Sequence, residues 1–337
     1  MAAISGTGRG SADTAGEESP GRSGRSGRSG RSGLRAAALG AAAIGGALAL
    51  TAAAVSPAAA HGDPHHGHHG RPPAHSAPAV DYVALGDSYT SAPGVPAQID
   101  ANCVRSDHNY PSLVAAARHY RGFTDVSCGG ATTAQMWQAQ GTNPAQLTAV
   151  TRDTDLVTLQ IGGNDVGFGS IIATCAGLSV TAPAGSPCKD HYGAGGTDQL
   201  TVNVLRTAPE VAKVLRAIHR QAPHAEVVVV GYPDLLPDQG PGCFPAVPFA
   251  AGDVPYLRST EKKLNAMLRV EALLGGASYT DTYGPTVGHD MCQAPADRWI
   301  EPLTPAPPAA PAHPNAAGEQ AMAAALSDTL DGRGHRR

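Results

Sequence analysis

Three short segments contain the side-chain types that acyl transfer requires. That reaction needs a nucleophile, a base that takes its proton, and hydrogen-bond donors where the oxyanion develops. Ser88 follows an apolar run in Gly86-Asp87-Ser88, Asn164 lies in Gly163-Asn164-Asp165, and His313 begins His313-Pro314-Asn315. Taken singly, each segment is typical of an ordinary turn or of the loop before a helix. Any chemistry therefore depends on whether the fold brings the three together.

Apolar runs alternate with helical patterns from residue 81 onward. Strands are predicted within 81–88, 123–128, 155–165, 225–235 and 277–282, and helices over 110–120, 201–222, 257–276 and 315–330. Gly275-Gly276 is expected to end the third helix, Asn315 to cap the last, and Pro209 to break or start the second. Strands without polar alternation, separated by helices, indicate a parallel sheet covered on both faces. The sequence thus predicts an α/β fold in a single domain.

Three polar or glycine-rich segments each follow a predicted strand. They are Gly86-Asp87-Ser88, Cys128-Gly129-Gly130 and Gly162-Gly163-Asn164. In open parallel sheets, functional sites form at the carboxyl ends of the strands. The three segments are therefore expected to meet at one edge of the sheet.

Four segments in this order resemble the motifs of the SGNH, or GDSL, hydrolase superfamily. They are ALGDSYTSAPGV (84–95), SCGGATT (127–133), LQIGGNDVGF (159–168) and AHPNAAGEQAMA (312–323). The resemblance spans about 81–330, and GHDMC (288–292) with the six cysteines resembles the secreted bacterial, actinobacterial-type lipase and esterase branch. It implies the superfamily's flavodoxin-like three-layer sandwich, with a central parallel sheet.

The resemblance also implies a role for each of four residues. Ser88 would be the nucleophile, and its backbone N–H would be one oxyanion donor. Gly130 would supply a second backbone N–H, with Gly129 as its rival, and Asn164 would supply the third donor through its side-chain amide. His313 would be the general base, since an unperturbed imidazole has a pKa of ~6.5 and suits neutral operation.

One position departs from the family's pattern. The family usually has an aspartate three residues before the histidine, where this chain has Ala310. Some members of the branch orient the histidine with a main-chain carbonyl, so the carbonyl of Ala310 is the first choice here. The side chains of Asp297 and Glu301 are the alternatives. A neutral carbonyl fixes the imidazole tautomer but stabilises the imidazolium less than a carboxylate does.

The N-terminal residues are predicted to direct export. Residues 1–60 combine a long basic n-region, an apolar stretch over 34–55 and the cleavage element Ala58-Ala59-Ala60, as in a signal peptide. A single transmembrane anchor is the alternative. Residues 61–80, rich in His, Pro and Gly, are expected to form a flexible linker or a metal-scavenging tail. The hydrolase domain is expected over 81–332, with a disordered tail at 333–337.

Removing the leader changes the charge of the chain. Of its 24 basic and 28 acidic residues, six and three lie in 1–60, which leaves 18 and 25 and a formal net charge of −7. An acidic surface disfavours nucleic acid as a partner. Six cysteines suit an oxidising compartment, and no C-x-x-C pair indicates zinc. Many pairings are open, and neighbour pairing is expected because each bridge then encloses one loop. The expected bridges join Cys103 with Cys128, Cys175 with Cys188, and Cys243 with Cys292.

The sequence therefore predicts a secreted, extracellular serine esterase or lipase that cleaves acyl esters of lipids or small alcohols. It is expected to need no cofactor or metal, to keep no membrane anchor after cleavage and to be a monomer. Polysaccharide deacetylation or acyl transfer at the same site, and a non-catalytic secreted metal-binding protein, are the alternatives. Loops over 92–108 and 176–198 are expected to line the pocket, whereas Trp137 and Trp299 are more typical of packing.

Overall fold

The computed structural model describes residues 80–334. The predicted signal peptide (1–60), residues 61–79 of the predicted linker and residues 335–337 of the predicted tail lie outside the described residues. Within the described part, no helix is long and apolar enough to cross a membrane.

A parallel sheet forms the centre of the described chain. In chain order the strands are β1 (Asp81–Gly86), β2 (Gln98–Asp100), β3 (Arg105–Ser106), β4 (Gly122–Asp125), β5 (Leu156–Gln160), β6 (Glu226–Val230) and β7 (Ser278–Thr280). β2 and β3 pair antiparallel as a small hairpin, and the others pair in the order β4-β1-β5-β6-β7, all parallel. The first strand of this sheet thus lies between the second and the third, which is the flavodoxin-like order.

Helices connect the strands along the chain. They are α1 (Ser88–Ser91), α2 (Tyr110–Ala117), α3 (Gly163–Val166), α4 (Phe168–Ser179), α5 (Pro187–Gly193), α6 (Gln199–Gln221), α7 (Asp253–Leu274), α8 (Tyr283–Thr286) and α9 (Ala316–Gly334). Two 3₁₀ turns, Thr133–Met136 and Gln146–Ala149, lie between β4 and β5.

Each face of the sheet has its own apolar core, because successive strand side chains point to opposite faces. Tyr82 of β1 belongs to the core that includes Val114 of α2 and Met322 of α9. Leu85 of β1 belongs to the opposite core, with residues of α6 and α7 such as Leu215. The expected α/β sandwich, with helices on both sides of a parallel sheet, is confirmed.

The helices differ from the prediction at several points. Pro209 lies inside α6 without interrupting it. Proline has no N–H to donate to the carbonyl four residues earlier, here that of Leu205, and Leu205 is on the exposed side of the helix, where water can replace the missing donor. α7 begins four residues early, since Pro255 falls in the first turn, where backbone N–H groups have no intrahelical partner. α4 and α5 occupy a segment to which no helix was assigned, partly a predicted loop over 176–198. α9 runs to Gly334, two residues beyond the predicted domain end.

Three disulfides join neighbouring cysteines, and the expected pairing is confirmed. The bridges are Cys103–Cys128, Cys175–Cys188 and Cys243–Cys292, with sequence separations of 25, 13 and 49 residues. The first bridge ties the β2–β3 hairpin to the segment that follows β4. It therefore holds a loop at the carboxyl edge of the sheet.

Candidate active site

The segments that follow β1 and β5 lie side by side, because these two strands are paired. Gly86, the last residue of β1, is in register with Gln160, the last residue of β5. Ser88 follows β1 and Asn164 follows β5. The chain passes from β1 to β4 on one side of β1, and from β5 to β6 on the other side. The carboxyl edge between β1 and β5 is therefore the switch point where ligands bind in open α/β sheets.

A buried carboxylate builds the turn that presents Ser88. Asp87 caps α1: its Oδ1 accepts the backbone N–H of Tyr89 at 2.9 Å, and its Oδ2 accepts the hydroxyl of Tyr232. Burial raises the pKa of Asp87 to about 7, although these hydrogen bonds oppose the shift. Gly86 is required before it, since a Cβ there would lie 2.1 Å from Oγ1 of Thr90. Asp87 thus organises the turn, as expected.

His313 meets Ser88 from the other end of the chain. Its Nε2 lies 2.7 Å from Oγ of Ser88, and its Nδ1 lies 2.8 Å from the backbone carbonyl oxygen of Pro311. Because a carbonyl can only accept, Nδ1 carries the proton and Nε2 is the acceptor that faces the serine hydroxyl. This is the tautomer that a general base for Ser88 requires.

The expectation that the Ala310 carbonyl orients His313 is wrong. That carbonyl accepts the backbone N–H of His313 at 3.2 Å and closes a four-residue turn. Ala312, the third residue of the turn, has a left-handed φ of 58°, and proline precedes it, which is the pattern of a type II turn. The central peptide of such a turn is flipped relative to type I, so the carbonyl of Pro311 faces the imidazole.

Two aromatic rings enclose the imidazole of His313. The ring of Tyr89 stacks on it with centroids 4.7 Å apart, and Phe168 approaches edge-on at 5.8 Å. The Tyr89 hydroxyl donates to the carbonyl of Ala312 at 2.7 Å, within the same turn. Desolvation lowers the pKa of His313 below its ordinary value, and the bond to Pro311 opposes the shift.

Glu301, one of the alternative orienting carboxylates, has another partner. It is fully buried, and Arg298 donates to it from Nε and Nη2, the latter at 2.8 Å. Asn315 also donates to Glu301, through Nδ2 at 2.8 Å, and its own Oδ1 caps α9. The backbone N–H of Glu301 donates to the carbonyl of His313 at 2.9 Å. This ionic cluster holds the histidine loop without touching the imidazole.

Three N–H groups at the mouth of the site are free to bind an oxyanion. Within residues 80–334, the backbone N–H groups of Ser88 and Gly130 have no hydrogen-bond partner. The Asn164 amide donates one hydrogen to the carbonyl of Ala131 at 2.9 Å and retains a second. Gly129, the rival of Gly130, is already used, since its N–H donates to the carbonyl of Cys103 at 2.9 Å.

Gly130 also has the backbone conformation and the open surroundings that such a donor needs. Its φ is 77°, in the left-handed region, and a Cβ added there would meet nothing within 4 Å. Asp165 holds this loop in place, although its position in the Gly163-Asn164-Asp165 motif assigns it no such role. Its carboxylate accepts the backbone N–H of Thr133 and the Thr133 hydroxyl, joining the loop to α3 beside Asn164.

An apolar pocket extends from Ser88 and Asn164 into the protein. It is lined by residues of α3, α4 and α7 and by the segment after β6, not by the predicted loops 92–108 and 176–198. Neither Trp137 nor Trp299 lines it; Trp299 stacks on His289 instead. The expectation about the loops is therefore wrong. The segment after Gly167 folds as the helix α4, and its residues Phe168 and Ile171 line the pocket in place of the loops.

The arrangement can perform acyl transfer. A serine hydroxyl faces an imidazole acceptor, free N–H groups flank the serine, and an apolar pocket leads away from it. Among the described residues, no group of three or more His, Cys, Asp or Glu side chains is arranged to hold a metal ion.

Known proteins are similar to this chain over almost all of its described part. The GDSL-like lipase/acylhydrolase family model matches residues 84–321. Lipase 2 of Streptomyces coelicolor is 45% identical over 265 residues, which cover 77% of this chain and 88% of that protein. The crystal structure of an extracellular lipase from Streptomyces rimosus superposes with a TM-score of 0.63 at 30% identity, covering 74% of this chain and 100% of that chain. Phospholipase A1 from Streptomyces albidoflavus gives 0.63 at 28% identity, covering 74% and 99%.

Proposed function

The chain belongs to the GDSL-like lipase/acylhydrolase family, and on that basis we propose that it is a secreted carboxylester hydrolase in which Ser88 forms an acyl-enzyme and His313 is the base. The observation that carries the mechanism is the 2.7 Å contact between Oγ of Ser88 and Nε2 of His313. A serine esterase needs a base placed to accept the proton of the serine hydroxyl, and this contact provides one.

The proposed reaction has two halves. Ser88 Oγ attacks the ester carbonyl carbon while its proton passes to Nε2 of His313, and the C=O electron pair becomes an oxyanion. The oxyanion collapses, the ester C–O bond breaks, and the imidazolium returns the proton to the departing alcohol. Water then attacks the acyl-Ser88 carbonyl with His313 again as base, which releases the carboxylic acid and restores the serine.

The free donors would stabilise the oxyanion in both halves. The N–H groups of Ser88 and Gly130 and the second amide hydrogen of Asn164 need no rearrangement to bind it, since they have no competing partner within residues 80–334. Preorganised donors of this kind are each worth roughly 10²–10³ in kcat. The carbonyl of Pro311 would hold the imidazole in the required tautomer throughout.

The apolar pocket supports an alkyl acyl chain as the group that is bound. Most of its apolar lining residues are aliphatic, among them Ile171, Leu236 and Leu264, and the aromatic rings of Tyr89 and Phe168 already pack against His313. This supports a lipase or esterase over a polysaccharide deacetylase. The three disulfides and the predicted signal peptide support secretion, as does the similarity to an extracellular lipase.

A p-nitrophenyl alkylphosphonate tests the mechanism directly. We expect it to modify Ser88 covalently and to release one equivalent of p-nitrophenolate, and we expect Ser88→Ala to prevent both. The same substitution should lower ester hydrolysis by about 10⁵–10⁶ while leaving the fold intact. Ser91→Ala removes another buried serine hydroxyl from α1 and is the matched control. Normal hydrolysis by folded Ser88→Ala protein would refute the mechanism.

A series of p-nitrophenyl esters from acetate to palmitate tests the substrate class. If the acyl chain binds in the apolar pocket, kcat/KM should increase from the acetate ester to esters with longer acyl chains. Each buried CH₂ adds roughly 0.8 kcal/mol of transfer free energy. A preference for acetate, together with release of acetate from acetylated polysaccharide, would support the deacetylase instead.

A further inference from the structure

One carboxyl group interrupts the apolar wall of the pocket. Glu261, on α7, lines the pocket among Leu257, Leu264 and other apolar side chains. Apart from the adjacent Thr260, the other polar residues of the pocket belong to the reaction centre or to the turn that presents Ser88; they are Asp87, Ser88, Tyr89, Asn164 and Tyr232. Thr260 is satisfied internally, because its hydroxyl donates to the carbonyl of Tyr256 at 3.1 Å.

The Glu261 carboxyl is not satisfied in the same way. Oε1 of the carboxyl is buried and has no hydrogen-bond partner within residues 80–334, although the nearby backbone of Leu235 favours the charged form of the group. A buried acceptor without a partner destabilises a protein, so such atoms in a binding pocket are candidates for a ligand contact. A leucine at this position would continue the apolar wall without that cost.

The surroundings favour the neutral form of this carboxyl. Burial raises the pKa of Glu261 well above its ordinary value, and the nearby charge of Asp234 raises it further. Lys262 and Asp238 act on it in opposite directions. A protonated carboxyl has one donor and remaining acceptor capacity, which matches a neutral group that can both accept and donate.

We propose that Glu261 is a specificity residue that hydrogen-bonds a hydroxyl group carried on the acyl chain, so that the pocket selects hydroxyacyl esters over plain acyl esters of equal length. The proposal rests on the proposed function, because it assumes that the pocket beside Ser88 holds the acyl chain. A hydroxyl fits better than a charged group. Among the described residues, no Lys, Arg or His side chain lines the pocket to pair with a buried anion, and a cation would require the charged form of Glu261, which its surroundings disfavour.

The test compares pairs of p-nitrophenyl esters with the same chain, plain or with one hydroxyl at successive positions. The measured quantity is the ratio of kcat/KM for the hydroxylated ester to kcat/KM for the plain ester. We expect this ratio to peak at one position in the wild type and to fall about tenfold in Glu261→Leu, with the plain ester improved. Glu261→Gln retains donor and acceptor atoms and should keep much of the preference. Glu261→Met also removes the carboxyl and is similar in length to glutamate, so it replaces Glu261→Leu if that variant does not fold.

Glu271→Leu is the matched control, since it removes a carboxyl from the same helix at a position that does not line the pocket. Its ratio should equal that of the wild type. A ratio that is unchanged in Glu261→Leu, or a wild type that prefers the plain ester at every hydroxyl position, would overturn the proposal. Phosphonate labelling of Ser88 in the same preparations separates the two hypotheses: labelling with an unchanged ratio refutes only the role of Glu261, whereas no labelling refutes the proposed function as well.

Discussion

The ring of Tyr89 stacks on the imidazole of His313 with centroids 4.7 Å apart and planes 27° apart. Tyr89 is the neighbour of Ser88 in α1, and its hydroxyl donates to the carbonyl of Ala312 at 2.7 Å. The helix that presents the serine therefore also supports the base, by a ring contact and by a hydrogen bond to the histidine turn. The two halves of the site are thus positioned together although they lie 225 residues apart.

Tyr89→Phe and Tyr89→Leu should separate these two contacts. Phenylalanine keeps the stacked ring but leaves the Ala312 carbonyl without its donor, which costs about 1–3 kcal/mol if that carbonyl stays dry. We expect a lower melting temperature and a loss of kcat of several-fold. Leucine removes the ring as well and should lower kcat further, with a slower phosphonate reaction. Equal kcat in Tyr89→Leu and the wild type would show that the ring does not position His313.

Asn164→Ala should lower kcat by roughly 10²–10³ with little change in KM, as expected for loss of one oxyanion donor. The Asn164 amide also bonds to the carbonyl of Ala131, so the melting temperature must be measured alongside kcat. Asn203→Ala is the matched control, because its amide also donates to a backbone carbonyl, that of Val166 in α3, at 3.0 Å. A similar loss of kcat in both variants would assign Asn164 a structural role.

The pH profile should report the environment of His313. The base acts in its neutral form, and desolvation lowers its pKa below the ordinary value near 6.5. Activity should therefore persist as the pH falls through 6.5 and decline only below it, with the acid limb of kcat/KM centred at the lowered pKa. Measuring kcat/KM between pH ~4 and ~8 checks this. A midpoint above 7 would indicate that a carboxylate faces the imidazole.

Carboxylate substitutions should separate orientation from stability. Glu301→Gln leaves the buried Arg298 guanidinium unpaired and should lower the free energy of unfolding by about 3–5 kcal/mol. The folded fraction should lose well under a hundredfold in kcat, and so should Asp297→Asn, because neither carboxylate contacts the imidazole. His313→Ala should be crippling. A thousandfold loss in folded Glu301→Gln or Asp297→Asn would reveal a triad with an unusual acid.

Removing a disulfide should destabilise the protein more when the bridge closes a longer loop. In the chain-entropy model, the 49-residue separation of Cys243–Cys292 is worth about 4 kcal/mol and the 13-residue separation of Cys175–Cys188 about 3 kcal/mol. Alanine pairs at each bridge, compared by denaturant unfolding, should show this order. An unchanged unfolding midpoint after complete reduction would contradict the prediction.

The strands were predictable because they are local patterns. β1, β5 and β6 are short runs of apolar and β-branched residues that end in Gly or polar turns, as expected for strands buried on both faces of a parallel sheet. α4 was not predictable in the same way, since its glycines and β-branched residues have low helix propensity. Packing against the core and the Cys175–Cys188 bridge make it a helix despite that propensity.

The sequence by itself determined the fold class, because strand periodicity is a property of neighbouring residues. The resemblance of its four motifs to the SGNH family supplied the short list of residues that the site brings together. Only the tertiary structure decided that the carbonyl of Pro311 faces the imidazole, that Glu301 pairs with Arg298, and that Gly130 has the free N–H. The first outcome depends on the type of one turn and the second on a contact between two buried charges. The third depends on which backbone N–H the carbonyl of Cys103 reaches. Each is set by distances of a few ångströms between elements, which the spacing of residues along a chain does not specify.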